Sequence, residues 1–428
     1  MRLAMSAIVA LLALSPDASA EVLIRWDLAS VPSPQALGIS TLVLPAEQAQ
    51  GIEQALAQGY RVYVEIDAAK AAAFSPIGGT AGVIVKGTIA ADLRDRLAQR
   101  VKIVRVADDR GKWPHIRTNW VTRNKDVLQV TNRSSQPWLE NNAALITIAA
   151  DRLPEGQRVL LTYTWQPPTV SDLDRGPRLE NYLVAIAEAG SFGADLLLPL
   201  HERFERELLA GAPDTRVDWS EIRTATEFYA WNVSLPQQSI ANVGVVSGDP
   251  MRDFELLNLL ARHNLPFVVV APAQVTSERL RGIDFLIVLD PLDPAAKQRV
   301  QEFGASGKGG IAKVVERADV PADPNTFALE MRQMLGAERR VVDIWNGITV
   351  LIAPYSRLPG GDVVLTAVNY AAQPLPVQVR VRGAFSQVQY EVPGQPAVLV
   401  PFETRDGGTE FVLPALRMGA RVFLNRMP

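Results

Sequence analysis

The sequence of 428 residues contains no cysteine. This absence excludes disulfide bonds, zinc sites built on thiolates and catalysis by a cysteine nucleophile. An excess of charge of one sign is also lacking, because 43 basic and 46 acidic side chains leave a formal net charge of -3. A chain so nearly balanced has no electrostatic preference for nucleic acid or for an anionic membrane surface. We therefore expect no nucleic-acid partner.

Long hydrophobic runs are missing as well. The apolar stretch AIVALLAL at 7–14 is too short for a bilayer span, which takes about 20 apolar residues. It follows Arg2 and precedes the small-residue stretch ASA at 18–20, an order typical of a secretory signal peptide. We predict a signal peptide at 1–20, cleaved before Glu21, no membrane span, and a secreted or periplasmic protein.

Motifs for phosphates, cofactors and metals are absent too. The glycine-rich stretch GASGKGG at 304–310 lacks the spacing and the hydroxyl residue of a phosphate-binding loop. Neither G-x-G-x-x-G nor G-x-S-x-G occurs in the sequence. The histidines His115, His201 and His263 lie far apart and form no H-E-x-x-H pair. We predict neither a cofactor nor a metal site.

The first half of the chain repeats short apolar runs with helical stretches between them. The runs are rich in Val, Ile and Leu, a pattern typical of buried parallel strands. They are VLIRW (22–26), ISTLVL (39–44), RVYVEI (61–66), GVIV (82–85), VKIVRV (101–106), RVLLTYTW (158–165) and ADLLLPL (194–200). One more strand is expected within Ile116–Val130. Eight strand–helix units over about 210 residues predict a (β/α)8 TIM-type barrel, and an open doubly wound sheet is the alternative.

Two further patterns follow the barrel. Strand-like runs at 242–248, 265–272 and 280–290 alternate with helical stretches and predict a flavodoxin-like α/β layer. From Arg340 onward short strands separated by glycine and proline turns predict an antiparallel β-sandwich. We therefore divide the mature chain into a barrel at 21–236, an α/β layer at 237–336 and a β-sandwich at 337–428.

This three-part order resembles the multidomain glycoside hydrolases, in particular the β-galactosidase-like architecture. The middle part is similar to a class I amidotransferase domain in VGVVSG, FVVVAP, DFLIVLD and the GG turn at 309–310. The C-terminal part is similar to the terminal sandwich of such enzymes in VVLTAVNYA (363–371) and FVLPALRMGARVFL (411–424). The resemblance implies a hydrolase scaffold that acts on sugars. Amidotransferase activity is excluded, because its catalytic cysteine does not exist in this chain.

Hydrolysis of a glycosidic bond by two carboxyl groups requires both to face one cleft, about 5 to 10 Å apart. Functional residues of a barrel gather at the C-terminal ends of its strands and in the loops that follow. Five acids at such positions are the candidate catalytic residues: Asp27, Glu65, Glu140, Asp172 and Glu202. Predicted strands four and seven end in VKG and WQPP. Neither supplies a carboxylate at the points where the resembled hydrolases place their acid and nucleophile.

Tryptophan is concentrated in the first half, where seven of the eight precede residue 232. Flat aromatic rings stack on the C–H faces of sugars, and binding pockets combine such apolar faces with a few polar groups. The candidate sugar-binding residues are Trp26, Trp113, Trp120, Trp138, Trp165, Arg117, Asn119 and Asn141. The alternative is that buried aromatic rings fix the long loop between 110 and 142 to the barrel.

Three functions remain open at this point. The first is a secreted glycosidase that acts on a poly- or oligosaccharide by carboxylate acid–base chemistry at the C-terminal face of the barrel. The second is a non-catalytic carbohydrate-binding or cell-envelope protein on a degenerate hydrolase scaffold. The third is a scaffold protein that oligomerises through its α/β layer and sandwich. Carbohydrate is the expected partner, a homo-oligomer is allowed, and two candidate acids within about 10 Å across one cleft would favour the enzyme.

Overall fold

The computed structural model describes residues 21–113, 121–124, 127–130, 141–153, 157–166, 173–230, 237–305, 313–317, 320, 323–347, 349–357, 361–371 and 373–426. Its main elements are a closed parallel barrel, a parallel four-stranded sheet and two larger antiparallel sheets. The predicted combination of an α/β barrel with a β-sandwich is therefore confirmed. Within these ranges no helix has the length and apolarity needed to cross a membrane.

Seven parallel strands close the barrel. They are β1 (Val22–Arg25), β2 (Thr41–Pro45), β3 (Arg61–Asp67), β4 (Gly82–Lys86), β5 (Val104–Asp108), β8 (Leu160–Thr162) and β9 (Asp195–Pro199). The ring closes where β9 pairs with β1, from Val22 opposite Leu196 to Arg25 opposite Pro199. The C-terminal ends of all these strands therefore meet at one edge, the barrel mouth.

The region of the predicted eighth strand is built differently. It contains β6 (Val121–Asn124) and β7 (Val127–Val130), which pair antiparallel with each other, while β5 pairs directly with β8. Among the described residues the barrel thus has seven strands, and neither β6 nor β7 joins it. The two runs, VTRN and VLQV, mix polar and apolar residues, which suits a hairpin better than a parallel strand buried on both faces.

One apolar side chain from each barrel strand fills the interior. These are Leu23, Val43, Tyr63, Ile84, Ala107, Leu160 and Leu197. Side chains two positions apart on a strand point to the same face. Within the strands, the polar side chains at the next inward positions toward the mouth are therefore Arg25, Glu65, Lys86 and Thr162. The apolar layer forms a floor beneath these polar side chains.

Helices cover the outside of the barrel. They are α1 (Pro34–Leu37), α2 (Ala49–Ala57), α3 (Ala91–Ala98), α4 (Ala143–Ala150), α5 (Leu179–Ser191), α6 (Glu202–Ala210) and α7 (Pro213–Tyr229), with a 3-10 turn at Ala68–Ala73. Helix α5 is buried along most of its length, because it packs on β9 and α7 and also on strands of the C-terminal sandwich. The barrel and the sandwich therefore share α5 as a common wall.

A parallel four-stranded sheet follows the barrel. Its strands are β11 (Val243–Val246), β12 (Phe267–Val270), β13 (Phe285–Val288) and β14 (Lys313–Glu316), in the order β12-β11-β13-β14. The accompanying helices are α8 (Phe254–Arg262), α9 (Pro294–Ala305) and α10 (Pro324–Arg339), with a 3-10 turn at Pro272–Gln274. Residues Ala144 and Ile148 of α4 belong to the apolar core of this layer, which joins it to the barrel.

Two antiparallel sheets form the C-terminal part. One has the order β10-β16-β17-β23-β19-β20 and the other β15-β18-β22-β21. Their strands are β10 (Gln237–Ser239), β15 (Val342–Ile344), β16 (Val350–Arg357), β17 (Asp362–Asn369), β18 (Leu375–Arg382), β19 (Phe385–Glu391), β20 (Val398–Leu399), β21 (Phe402–Arg405), β22 (Gly408–Leu416) and β23 (Gly419–Arg426). Strand β10 precedes the parallel sheet in the sequence but pairs with β16, so the sandwich recruits an edge strand from before that layer.

Candidate functional site

Three charged side chains meet at the barrel mouth. Arg25 donates from Nε to Oε1 of Glu65 at 3.0 Å and from Nη1 to Oδ2 of Asp27. Because one guanidinium binds both carboxylates, their bonded oxygens lie within about 8 Å of each other. This upper bound is compatible with the range of about 5 to 10 Å used by pairs of carboxyl groups in glycoside hydrolysis. The structure thus brings together two of the five candidate acids.

The two carboxyl groups differ in their exposure to solvent. The side chain of Glu65 is 8% exposed, whereas that of Asp27 is 33% exposed. Burial raises the pKa of both groups above the usual carboxyl value, and the positive charges of Arg25 and Lys86 oppose this shift. A deep carboxyl beside a more accessible one is the arrangement that can separate the roles of acid and base.

Two polar atoms at the floor of the mouth lack a hydrogen-bond partner in the described part of the chain. They are Oε2 of Glu65 and Oγ1 of Thr162, and both residues are more than nine-tenths buried. Leaving a buried polar atom without a partner costs about 1–3 kcal/mol, so such atoms usually mark a bound water or ligand.

Glu205 holds the backbone next to Asp27. This buried side chain of α6 accepts the Asp27 N–H on Oε1 at 2.9 Å and the Leu28 N–H on Oε2 at 3.0 Å. Burial raises the pKa of Glu205 to about 8, although both N–H bonds oppose the shift. Gln48 donates from Nε2 to the backbone carbonyl of Asp27. Asp27 is therefore held by two elements besides its own strand.

The third described candidate acid, Glu202, lies apart from the Arg25 cluster. It begins α6, is mostly exposed and pairs with Arg206 one helical turn later. Its charge raises the pKa of Asp27, so it lies near the mouth. The structure thus places Glu202 at the rim and Asp27 with Glu65 inside.

Several candidate sugar-binding side chains are buried. Trp26 is fully buried and donates its Nε1–H to the Ser30 carbonyl at 3.0 Å. Trp113 is buried, donates its Nε1–H to the Thr162 carbonyl at 3.0 Å and contacts Tyr163 edge-on. Neither ring presents a free face in these geometries, and sugar binding by either stays an untested prediction. The geometries favour the alternative in which aromatic rings fix the loop to the barrel.

The other described candidates are Asn141 and Trp165. Asn141 is buried next to the start of α4, and its Oδ1 accepts the Ala143 N–H at 3.2 Å. Its predicted contact with a ligand stays a prediction. Trp165 follows β8, is only partly buried and lies edge-on to the His201 ring, with centroids 6.0 Å apart. Trp165 is therefore the one described member of this set that keeps an accessible ring near the mouth.

Six candidates lie outside the described residues, namely Glu140, Asp172, Trp120, Trp138, Arg117 and Asn119. The predictions for these residues stay predictions.

The burial of Trp113 leads to a stability prediction. Trp113→Phe keeps a ring against Tyr163 but removes the hydrogen bond to the Thr162 carbonyl. We expect the free energy of unfolding to fall by about 1–2 kcal/mol. Chemical denaturation of the two proteins checks this, and ligand binding per folded molecule should be unchanged. A loss of binding with unaltered stability would instead return Trp113 to the binding site.

Sequence reasoning missed Arg25, Lys86, Thr162 and Glu205. The spacing of the first three could have identified them, because each lies two positions after an apolar residue that points into the barrel. A polar residue at the last inward position of a strand is a candidate site residue even where the strand lacks a terminal acid. Glu205 carried no such signal, since its partners are backbone groups of a distant loop.

In the ranges the structure describes, no cluster of three or more His, Asp or Glu side chains is suited to hold a metal ion. The polar groups of the mouth are instead two carboxylates, one guanidinium, one ammonium and one hydroxyl, contributed by Asp27, Glu65, Arg25, Lys86 and Thr162. Such a set can bind a polar ligand and exchange protons with it.

Comparison with known proteins shows that the fold is shared with a solved structure of low sequence identity. No protein-family model and no curated protein matches the sequence. Alpha-L-fucosidase isoenzyme 2 from Paenibacillus thiaminolyticus superposes with a TM-score of 0.59 and 10% identity, over 96% of this chain and 100% of that chain. The resemblance to glycoside hydrolases is thus confirmed at the level of architecture.

Two further solved structures overlap more weakly. An exo-carrageenase GH42 from Bacteroides ovatus gives a TM-score of 0.39 at 9% identity, over 89% of this chain and 55% of that chain. A beta-galactosidase from Rahnella sp. R3 gives a TM-score of 0.37 at 11% identity, over 85% of this chain and 65% of that chain. These overlaps carry no argument about the site.

Proposed function

We propose that the protein is a secreted glycosidase whose catalytic centre is the barrel mouth. One observation carries the proposal: Asp27 and Glu65 converge on Arg25 at the edge where barrel enzymes hold their catalytic residues. The fold shared with an alpha-L-fucosidase supports a sugar as the substrate class.

Glu65 is the better proton donor of the pair. It is the more buried group, burial raises its pKa, and its Oε2 makes no hydrogen bond to any described residue. A proton on Oε2 would leave Oε1 free to accept from Arg25. General acid catalysis of this kind depends on a carboxyl whose pKa lies above its usual value.

Asp27 is the better base or nucleophile. Its side chain is more accessible to water and to substrate than that of Glu65, and it is bonded to Arg25. Glu205 and Gln48 hold its backbone in place. Fixing a reacting group in this way removes the entropic cost of aligning it.

A non-catalytic carbohydrate-binding protein is the second candidate. The observation that favours it is the guanidinium of Arg25 between the two carboxylates, because ion pairing stabilises both in the charged form. In addition, β4 ends in Lys86 rather than in an acid. On this scaffold the mouth would bind a sugar without protonating it.

Export and domain organisation are part of the same proposal. Strand β1 starts at Val22, directly after the predicted cleavage site before Glu21, so removal of 1–20 would leave the barrel intact. The order β12-β11-β13-β14 supports a flavodoxin-like assignment of the parallel layer. The boundaries at 236/237 and 336/337 and the eight-stranded form of the barrel stay predictions.

The proposal is tested with a panel of aryl glycosides and oligosaccharides, scored separately for cleavage and for binding by the purified protein starting at Glu21. Turnover of at least one member is expected. Binding without turnover anywhere in the panel would support the non-catalytic alternative, and neither binding nor turnover would overturn both. Mass spectrometry of the exported chain tests the cleavage site independently, since the mature N-terminus should be Glu21.

A further inference from the structure

Trp345 differs from the buried tryptophans of the barrel domain. Trp26, Trp113 and Trp219 are buried, and each donates its Nε1–H to a backbone carbonyl. The Trp345 side chain is 50% exposed, and no described residue accepts from its Nε1–H. Half of this residue thus faces solvent, unlike the three buried tryptophans.

Trp345 lies at the outer face of the sandwich. It directly follows β15, and its backbone N–H donates to the Gln378 carbonyl of β18 at 3.3 Å. Gln378 is exposed, whereas its neighbours Val377 and Val379 belong to the sandwich core. On the next strand Val412 pairs with Gln378 and is also exposed. Trp345, Gln378 and Val412 therefore form a row across one sheet, which we call the outer row.

The outer row is held rigidly. Asn346 donates from Nδ2 to the Pro376 carbonyl at 2.9 Å, and its Oδ1 accepts the Gln378 N–H at 2.7 Å. These bonds attach the turn after Trp345 to β18. A ring presented from such a turn loses little conformational entropy when a ligand binds.

Helix α10 covers the neighbouring part of this sheet face. Arg332 of that helix donates from Nη2 to Asp343 Oδ1 at 2.7 Å and to the Ile344 carbonyl at 3.1 Å. Arg380 of β18 donates from Nη1 to the Ala337 carbonyl of α10 at 2.7 Å. The outer row thus lies beside the part of the face that α10 covers.

The chemistry of the outer row points to a sugar. It is uncharged, so it offers nothing to an anionic lipid surface or to nucleic acid. Its two exposed apolar side chains are far too few for a stable protein interface, which buries about 800 Å² per partner. A planar indole with one N–H donor beside a primary amide matches a pyranose ring, which has an apolar C–H face and hydroxyl groups at its rim.

We propose that Trp345 and Gln378 form a carbohydrate-binding platform on the outer face of the sandwich, separate from the barrel mouth. The choice of carbohydrate as ligand rests on the proposed function, because it extends the same substrate class to a second surface. The platform holds a polysaccharide near the protein while the mouth acts on a chain end or a released fragment.

Affinity electrophoresis tests the platform in native gels cast with xylan, laminarin, hydroxyethylcellulose or fucoidan. Wild-type protein should be retarded in at least one gel. Trp345→Ala should weaken that binding about tenfold or more, and Trp345→Phe should restore part of it. The matched control is Leu399→Ala, since Leu399 is another exposed apolar residue of the sandwich. Because Trp345 is exposed, the alanine variant should unfold at nearly the wild-type temperature.

Retardation of Trp345→Ala equal to that of wild type, or no retardation of wild type in any of the gels, would overturn the platform. Failure of the proposed function is seen separately, as absence of turnover in the glycoside panel. A variant of the mouth, Glu65→Gln, should still be retarded in the gel. Conversely, Trp345→Ala should cleave a small aryl glycoside as fast as wild type, because such a substrate does not reach the sandwich.

Discussion

Glu65→Gln is expected to lower kcat/KM by about 100- to 10,000-fold, the contribution usual for a general acid. The amide keeps the size of the side chain, and its carbonyl oxygen can still accept from Arg25 Nε, so the geometry of the mouth should survive. It cannot release a proton to a leaving group. Steady-state kinetics on the substrate found in the glycoside panel measures the loss, and calorimetric titration of the same substrate should show nearly unchanged affinity.

Asp27→Asn should cause a loss of similar size, because the base or nucleophile is removed from the same cleft. Burial raises the pKa of Asp27. Since the ionised form is the active one, the acidic limb of the kcat/KM profile should lie above the ordinary carboxyl pKa. The exposed acids Asp92 and Glu302 serve as matched controls, as Asp92→Asn and Glu302→Gln. Wild-type rates in both mouth variants would remove these two acids from the mechanism.

Glu188→Ala is expected to lower the free energy of unfolding by about 3–5 kcal/mol, the range for breaking a buried charged or strongly hydrogen-bonded group. Glu188 of α5 is fully buried. Its Oε1 accepts the Asn142 N–H at 2.8 Å and the Tyr370 hydroxyl at 2.6 Å, and its Oε2 accepts Asn142 Nδ2–H at 2.8 Å. Alanine would leave three buried donors without an acceptor and open a cavity.

This carboxyl joins three parts of the molecule. Asn142 precedes α4 and also accepts the Lys112 N–H on Oδ1 at 2.7 Å, so it fastens both flanks of the long loop after β5. Tyr370 belongs to the sandwich. Urea denaturation of wild type and variant measures the loss, and Tyr370→Phe should reproduce only about 1–2 kcal/mol of it. A loss below about 1 kcal/mol for Glu188→Ala would show that the network is dispensable.

The pH dependence of stability gives a second readout for Glu188. Burial raises its pKa from 4.5 to about 7, so the folded state binds this proton more tightly than the unfolded state. The stability it contributes is complete below the unfolded pKa and is lost as the pH rises through about 7. Wild-type stability should therefore fall from pH 5 toward pH 8. The pKa of Glu205 is raised to about 8, so this group changes stability with pH in the same direction. The difference between wild type and Glu188→Gln at each pH therefore isolates the contribution of Glu188.

Local patterns in the sequence were sufficient to locate the elements of the barrel. The runs at 22–26, 61–66 and 82–85 became β1, β3 and β4, because short Val- and Ile-rich runs favour buried strands whatever their partners are. The number of barrel strands was not predictable in this way. Pairing of β5 with β8 is a contact between segments more than fifty residues apart, and no local pattern encodes it.

In the sandwich, too, local sequence predicts the strands, while the pairing of distant strands depends on the assembled fold. The switch to short strands after Arg340 is a local change in composition, and it predicted the antiparallel sheets. The recruitment of β10 by β16 depends on where the chain leaves the barrel, so only the assembled fold decides it. The exposure of Trp345 is of the same kind, because it follows from how far α10 extends over the sheet.

For the site, the sequence by itself determined which acids stand at strand ends, because strand positions follow from local hydrophobic pattern. It identified Asp27, Glu65 and Glu202 as candidate catalytic acids but did not show which of them lie together. The tertiary structure decided that Asp27 and Glu65 share Arg25 while Glu202 stays at the rim, since closure of the barrel brings β1 and β3 to one mouth. It also turned Trp26 and Trp113 into core residues, because burial depends on every neighbour in the fold, whereas the pattern of a strand depends only on its own residues.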